Sequence, residues 1–226
     1  MYKKQLQSLL GSLLYISKCV RYSRFFLNRL LQILRDQSRE KIIKLDHAFQ
    51  KDVRWFKNFL VQFNGTSLYV KDKVDANIHL DACLTGVGAI FQNEIYQAKI
   101  PEKFKHCHIA ALEMLNILVA LRIWAKKWSG LAIKIFCDNE AVVSVLSTGK
   151  TRDPDLATIS RNIYMLCAKF DILIIPQHVE GKSNIIADLL SRWCGSKNDL
   201  EKLKSLIRNP IWVNVSQEQF DLDLEI

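Results

Sequence analysis

The chain has 226 residues, 49% of them hydrophobic, with only 8 Gly and 4 Pro, a composition that excludes disordered and fibrous classes and leaves room for one or two domains with a real core. A formal net charge of +9 favours a polyanionic partner, nucleic acid first and an acidic membrane surface second. No stretch reaches about 18 uncharged apolar residues, so no transmembrane helix and no membrane partner are expected. Residues 1–7 lead into an amphipathic helix rather than an apolar signal segment. The six cysteines at 19, 83, 107, 137, 167 and 194 form no CxxC pair and no disulfide framework. A reducing, intracellular location is expected, cytoplasm or nucleus.

Residues 4–20 place Leu6, Leu9, Leu10, Leu13 and Leu14 at helical spacing, and residues 24–35 repeat the pattern with Leu27, Leu30, Leu31 and Leu34. The break at Arg21-Tyr22-Ser23 predicts a helical hairpin with Ser23 as N-cap, decorated by Arg21, Arg24 and Arg29. Asp46 caps a predicted third helix to about residue 63, and Asn64-Gly65 stops it. The period then changes. Residues 78–82 read as a strand, Gly86 and Gly88 mark a turn or bulge before a strand at 87–92, and residues 95–100 make a third. A long helix is predicted from about 106 to 128. Residues 131–137 form an apolar strand of the kind buried on both faces. A short helix at 139–147 follows, then one to about 170 opened by Asp153-Pro154-Asp155. A fifth strand spans 172–178, and Ser183 caps a last helix to 193. The order βββαβααβα predicts an α/β fold with a mixed five-stranded sheet and flanking helices, preceded by a small helical region and followed by a tail of mixed charge.

Four acidic residues stand in or beside apolar runs, where a carboxylate is costly unless compensated. They are Asp81 in Ile78-His79-Leu80-Asp81-Ala82, Glu113 in Ala110-Ala111-Leu112-Glu113-Met114, Asp138 in Ile135-Phe136-Cys137-Asp138-Asn139, and Asp188 in Asn184-Ile185-Ile186-Ala187-Asp188. Each has a plain alternative. Asp81 can face water from an edge strand, and Glu113 can pair with a Lys or Arg. Asp138 can cap the helix after it, and Asp188 can be solvated at the rim of its helix's apolar stripe. Glu113 is the most specific, because its helix face also carries Ile109, Ala110, Ile117, Ala120, Leu121 and Trp124. Asp138 ends a strand, where ligands gather in open α/β sheets. Four carboxylates brought together repel, and some stay protonated. A pair of divalent cations removes that conflict and creates a phosphodiester-cleaving site.

In order and in element, Asp81, Glu113, Asp138 and Asp188 resemble the four acidic positions of the ribonuclease H domain of retroelement reverse transcriptases. The segment from His178 to Arg192 is similar to the retroelement form H-x-x-G-x-x-N-x-x-A-D-x-L-S-R. Upstream, Leu6-Gln7-Ser8-Leu9-Leu10-Gly11-Ser12-Leu13 and Ser23-Arg24-Phe25-Phe26-Leu27-Asn28-Arg29-Leu30 resemble reverse-transcriptase thumb helices, especially those of DIRS-type (tyrosine-recombinase) retrotransposons. Asp52-Val53-Arg54-Trp55-Phe56 with Phe63-Asn64-Gly65-Thr66-Ser67 resembles their connection segment. The resemblance covers about residues 5–195. It implies a thumb-like hairpin over 1–38, a connection segment over 39–74, a ribonuclease-H-like domain over 75–195 and an unmatched tail over 196–226.

The resemblance also implies hydrolysis of the RNA strand of RNA–DNA hybrids to 5′-phosphate and 3′-hydroxyl products. Two Mg²⁺ ions, replaceable by Mn²⁺, would be held by the four carboxylates. Asp81 would bridge both ions, Glu113 and Asp138 would serve one, and Asp188 the other. Lys126, Lys127 and Trp128 at a helix end, Lys182, and Arg24 with Arg21 and Arg29 are candidates for gripping the hybrid. The plain alternative for each is a solvated or covering side chain. The polymerase palm and its Tyr-x-Asp-Asp motif are absent from this sequence. No polymerase activity is therefore expected from this chain alone, and polymerase fingers and palm of the same polyprotein are the implied partner. Where cellular ribonucleases H carry a His before the last Asp, this chain has Gly181-Lys182, as other retroelement versions do.

Other readings are a catalytically impaired, nucleic-acid-binding remnant with this fold, and a DNA-cleaving transposase or integrase. The latter sites usually need three acidic residues and no Glu on the first long helix, so Glu113 argues against them. A zinc site built from His106, Cys107 and His108 lacks an evident fourth ligand.

Overall fold

Leucines and aromatics at helical spacing build the first part of the chain, and alternating strands build the second. The computed structural model describes residues 1–18, 22–37, 41–62, 73–192 and 197–222. Two units divide it, Met1–Lys71 and Asp72–Leu224. The break at Arg21, the stop at Asn64-Gly65 and the helix end at Trp193 lie outside the described residues.

In the first unit, α1 (Lys3–Ile16) packs on α2 (Ser23–Asp36), and α2 packs on α3 (His47–Gln62). Leu6, Leu10 and Leu13 are buried, as are Phe26, Leu27, Leu30, Trp55 and Phe56. Trp55 stacks on Phe26 at 3.7 Å and on Phe59 at 4.8 Å between ring centroids. Asp46 caps α3 as expected, its Oδ1 accepting from the Phe49 amide at 2.6 Å. Ser23 is not the N-cap of α2. That place falls to Tyr22, in left-handed backbone at φ 67°, and Ser23 is a buried first helical residue. Arg29 turns toward the buried Asp52, with Nε 3.9 Å from Oδ2.

The second unit is an α/β fold with a mixed sheet and flanking helices, as expected from the element order. Strands β1 (Ala76–Ala82), β2 (Gly86–Phe91) and β3 (Glu94–Lys99) form the antiparallel meander, and β4 (Ala132–Cys137) and β5 (Leu173–His178) add in parallel to β1. A sixth strand, β6 (Ile211–Trp212), pairs in parallel with β3, giving the order β5-β4-β1-β2-β3-β6. The supposed tail supplies it. Residues 197–222 form α8 (Lys197–Leu206), β6 and a short 3₁₀ turn, and Leu203 and Ile207 join a buried cluster with Ile95 and Leu190.

Helices α4 (Ile109–Trp124) and α6 (Pro154–Lys169) pack together, and α5 (Glu140–Thr148) links β4 to them. The last helix of the motif, α7 (Ile185–Arg192), lies on β1 and β2. The two faces of the sheet can be told from one strand pair. Tyr96 of β3 is opposite Ala89 and reaches Asn116 of α4, whereas a Cβ on the adjacent Gly88 would strike Leu190 and Ser191 of α7. Since neighbouring strand residues face opposite ways, α4 and α7 cover opposite faces. Helix α4 stops at Trp124, and turns carry the chain to Gly130. Trp128 is 0% exposed and packs edge-on to Phe91 at 5.2 Å. It is therefore a core residue and not a platform for nucleic acid.

Candidate active site

Asp81 lies near the carboxyl end of β1, and Asp138 directly follows β4, its parallel neighbour. Glu113 reaches this edge from α4 on one face, and Asp188 from α7 on the other. Their charges are felt at the two inner members. The Asp138 and Asp188 charges both raise the Asp81 carboxyl, and the Asp138 and Asp81 charges raise Glu113. Ligand atoms of Glu113, Cys137 and Asp138 lie within 4.8 Å of one another.

Burial separates the members. Asp81 is 7% exposed and Glu113 4%, while Asp138 is partly exposed and the Asp188 side chain is 36% exposed. Loss of water is the largest influence on both inner carboxyls. It lifts Asp81 to about 6, against a lowering hydrogen bond from Ser191, and lifts Glu113 to about 7, against lowering bonds from Cys137 and Asn139.

Neutral donors hold these two in place. The Ser191 hydroxyl donates to Asp81 Oδ2 at 2.5 Å. Asn139 Nδ2 donates to Glu113 Oε1 at 3.2 Å, and the Cys137 thiol donates to Oε2 at 3.1 Å. Asn139 also caps α5 through its Oδ1, so the capping role proposed for Asp138 belongs to its neighbour and leaves Asp138 free to face the site. Beneath Asp81, Asn116 Nδ2 donates to the carbonyls of Asp81 and its partner Gly88, at 2.7 and 2.9 Å.

Glycine permits the close approach on the other face. A Cβ on Gly88 would lie 2.3 Å from Leu190 Cβ and 2.6 Å from the Ser191 nitrogen, and one on Gly86 would lie 2.5 Å from the Ser191 carbonyl oxygen. The approaching body is α7 itself, which brings Ser191 and Asp188 to Asp81. The helix starts at Ile185 rather than at a Ser183 cap, because Gly181–Ser183 is a 3₁₀ turn. Asn184 donates across to the Leu80 carbonyl at 2.9 Å.

Asp188 carries an ion pair with Arg192, Oδ1 to Nε 2.5 Å. Lys182 is exposed in the turn before α7, and Lys126 is exposed after α4. Lys127, also exposed, pairs with Glu94 of β3. The side chain of Arg24 lies outside the described residues. Ser191, Asn116 and Asn139 were not singled out from sequence. For Asn116 a signal existed, a lone amide one turn from Glu113 in an apolar helix.

The donor set suits hard divalent cations, since it is made of carboxylate oxygens. It is also short of positive charge. Among the described residues, Arg192 is the one cation acting on Asp81, and none acts on Glu113.

No protein-family model matches the sequence. No curated protein matches it either. Among solved structures the chain is similar to RNase H1 from the halophilic archaeon Halobacterium salinarum, at 19% identity over 56% of this chain and 98% of that one, TM-score 0.43. It is also similar to the N-terminal RNase H domain of a Mycobacterium tuberculosis protein fused to maltose-binding protein, at 18% identity over 59% and 99%, TM-score 0.42. A third likeness is to a foamy viral protease–reverse transcriptase in complex with double-stranded DNA, at 13% identity over 78% of this chain and 34% of that one, TM-score 0.33.

Proposed function

We propose that this chain is a divalent-metal-dependent nuclease that hydrolyses the RNA strand of RNA–DNA hybrids, as the C-terminal part of a retroelement reverse transcriptase. The observation that carries the reading is the grouping of carboxylates at the carboxyl ends of β1 and β4, where the charges of Asp138 and Asp188 act on Asp81 and those of Asp138 and Asp81 act on Glu113, with Asp81 and Glu113 buried. A structural role for such a pair would call for an adjacent Lys or Arg, and Glu113 has none among the described residues. The retroelement-like segment from His178 to Arg192 supports the same assignment.

The four carboxylates would hold Mg²⁺, which when bound supplies a polarised water and neutralises charge on the phosphate. The remaining work falls to the chain. Glu113, held at about 7, and to a smaller extent Asp81, at about 6, would lose any remaining proton on holding a cation. Ser191 aims Asp81, and Asn139 aims Glu113, so each presents a fixed oxygen rather than a mobile one. Asn116 anchors the backbone beneath Asp81. Lys182, exposed and next to the site in sequence, would meet a backbone phosphate. The test is cleavage of a labelled hybrid with Mg²⁺. Asp138→Asn should lose activity by orders of magnitude while keeping its fold, and wild-type-like cleavage by that variant would refute the assignment.

One observation favours a second reading, a binding module that has lost cleavage. Asp188 is tied to Arg192, which competes for the oxygen a cation needs. The pair is exposed, however, and surface pairs of this kind are weak, so a divalent ion can displace it. Calorimetry with Mg²⁺ or Mn²⁺ separates the readings, because the impaired module would bind neither ion well.

A further inference from the structure

We propose a second metal site, distinct from the carboxylate cluster, in which His106, Cys107 and Asp155 bind a thiophilic divalent ion such as Zn²⁺. Cys107 Sγ lies 3.8 Å from His106 Nε2 and 3.8 Å from Asp155 Oδ2, and the three donor atoms lie within 4.8 Å of one another. Ligand atoms bound tetrahedrally to zinc, with Zn–S of about 2.3 Å and Zn–N or Zn–O of about 2.0–2.1 Å, stand about 3.5 Å apart. The thiol is thus already within a few tenths of an ångström of the required separation from both partners. A thiolate, an imidazole and a carboxylate together select zinc over magnesium. Three protein ligands would leave the fourth tetrahedral position to water.

His108 is not part of the set. Its Nε2 is 2.8 Å from Asp153 Oδ2, while Asp153 Oδ1 accepts from the Leu156 amide at 2.8 Å and caps α6. Asp155 is the third donor, brought from a position 48 residues along the chain from Cys107. The ion would pin the segment before α4 to the first turn of α6. None of the three residues is among the groups acting on Asp81 or Glu113, which separates this site from the nuclease site electrostatically. The buried thiol beside two aspartates is held above its ordinary range by burial first and Asp155 second, and a cation reverses both influences.

The probe is Co²⁺, whose tetrahedral thiolate complexes give a charge-transfer band in the near ultraviolet, followed by displacement with Zn²⁺ in excess Mg²⁺. Cys137 is a second thiol beside carboxylates, so it supplies the control. The full chain should show the band at one equivalent, with a rise of a few degrees in Tm on adding Zn²⁺. Cys107→Ser should lose the band, and Asp155→Asn should weaken binding at least tenfold (about 1.4 kcal/mol), while Cys137→Ser and Asp138→Asn keep it. Asp155 is only half-buried, so its variant remains informative if Cys107→Ser misfolds. Absence of the band in the wild type, its survival in Cys107→Ser, its loss in Cys137→Ser, or unchanged binding in Asp155→Asn would each overturn the proposal.

Discussion

Replacing Glu113 by Gln is expected to abolish cleavage in Mg²⁺ and, without metal, to make the chain more stable. The wild-type carboxyl titrates at about 7 in the fold against an ordinary value of 4.5. Between those values the folded chain holds a proton that the unfolded chain has released, so stability falls as pH rises through the window and levels off above it. At about 1.4 kcal/mol per pH unit, the cost at alkaline pH is about 3 kcal/mol. Glutamine removes the charge and keeps an acceptor for Asn139, while its amide replaces the oxygen that accepts from Cys137, a loss of about 1 kcal/mol. The net gain for Glu113→Gln is therefore about 2 kcal/mol near pH 8 and close to zero near pH 5. Urea unfolding in a chelator measures both. Adding Mg²⁺ should stabilise the wild type and narrow the difference, because the cation binds the folded carboxylate. If the Gln variant is clearly less stable than wild type near pH 8 without metal, the buried charge is compensated by something else and the reasoning fails.

Ser191→Ala removes the bond that lowers Asp81, so that carboxyl should titrate above about 6, and the Mg²⁺ concentration for half-maximal cleavage should rise about tenfold or more. Gly88→Ala puts a methyl into Leu190 and Ser191; thermal unfolding should show a loss of about 1–3 kcal/mol, with cleavage falling as α7 is displaced. Hybrid affinity measured across a salt series should drop steeply, and Lys182→Ala should shallow the slope by about one ion if Lys182 meets a phosphate; a flat wild-type curve would count against the nucleic-acid reading.

Charge in apolar surroundings is what makes part of this site readable without coordinates. Glu113 stands out because a carboxylate amid leucines and alanines has a large desolvation cost. Yet the stripe drawn from helical spacing is not the reason it turns inward: α4 is buried around nearly its whole girth, from Ala110 to Leu121. Asp81 and Asp138 are legible from strand ends. The supports are less so. Ser191 and Asn139 act through hydrogen bonds to residues far away or across a turn, and short-range patterning carries no trace of such partners. Gly86 and Gly88 advertise a close approach, but only packing reveals that the visitor is a helix. Trp128 misleads because an aromatic beside two lysines reads as a surface platform, whereas a cluster with Phe91 and Trp124 draws it inside. Residues 197–222 read as a tail because their apolar positions are sparse; Leu203, Ile207 and Phe220 suffice to seat them.

The two-residue strand β6 has a practical corollary for anyone cutting the gene. Ile211 donates to the Asn93 carbonyl and Val213 to that of Ile95, each at 2.8 Å, and Asn93 Nδ2 holds the Asn209 carbonyl at 2.7 Å. Those bonds occupy the outer rim of β3, which would otherwise offer bare peptide groups to any passing chain. A fragment trimmed at residue 195 would keep every acidic side chain and still be prone to self-association, whereas one extended past Phe220 would carry its own edge protection.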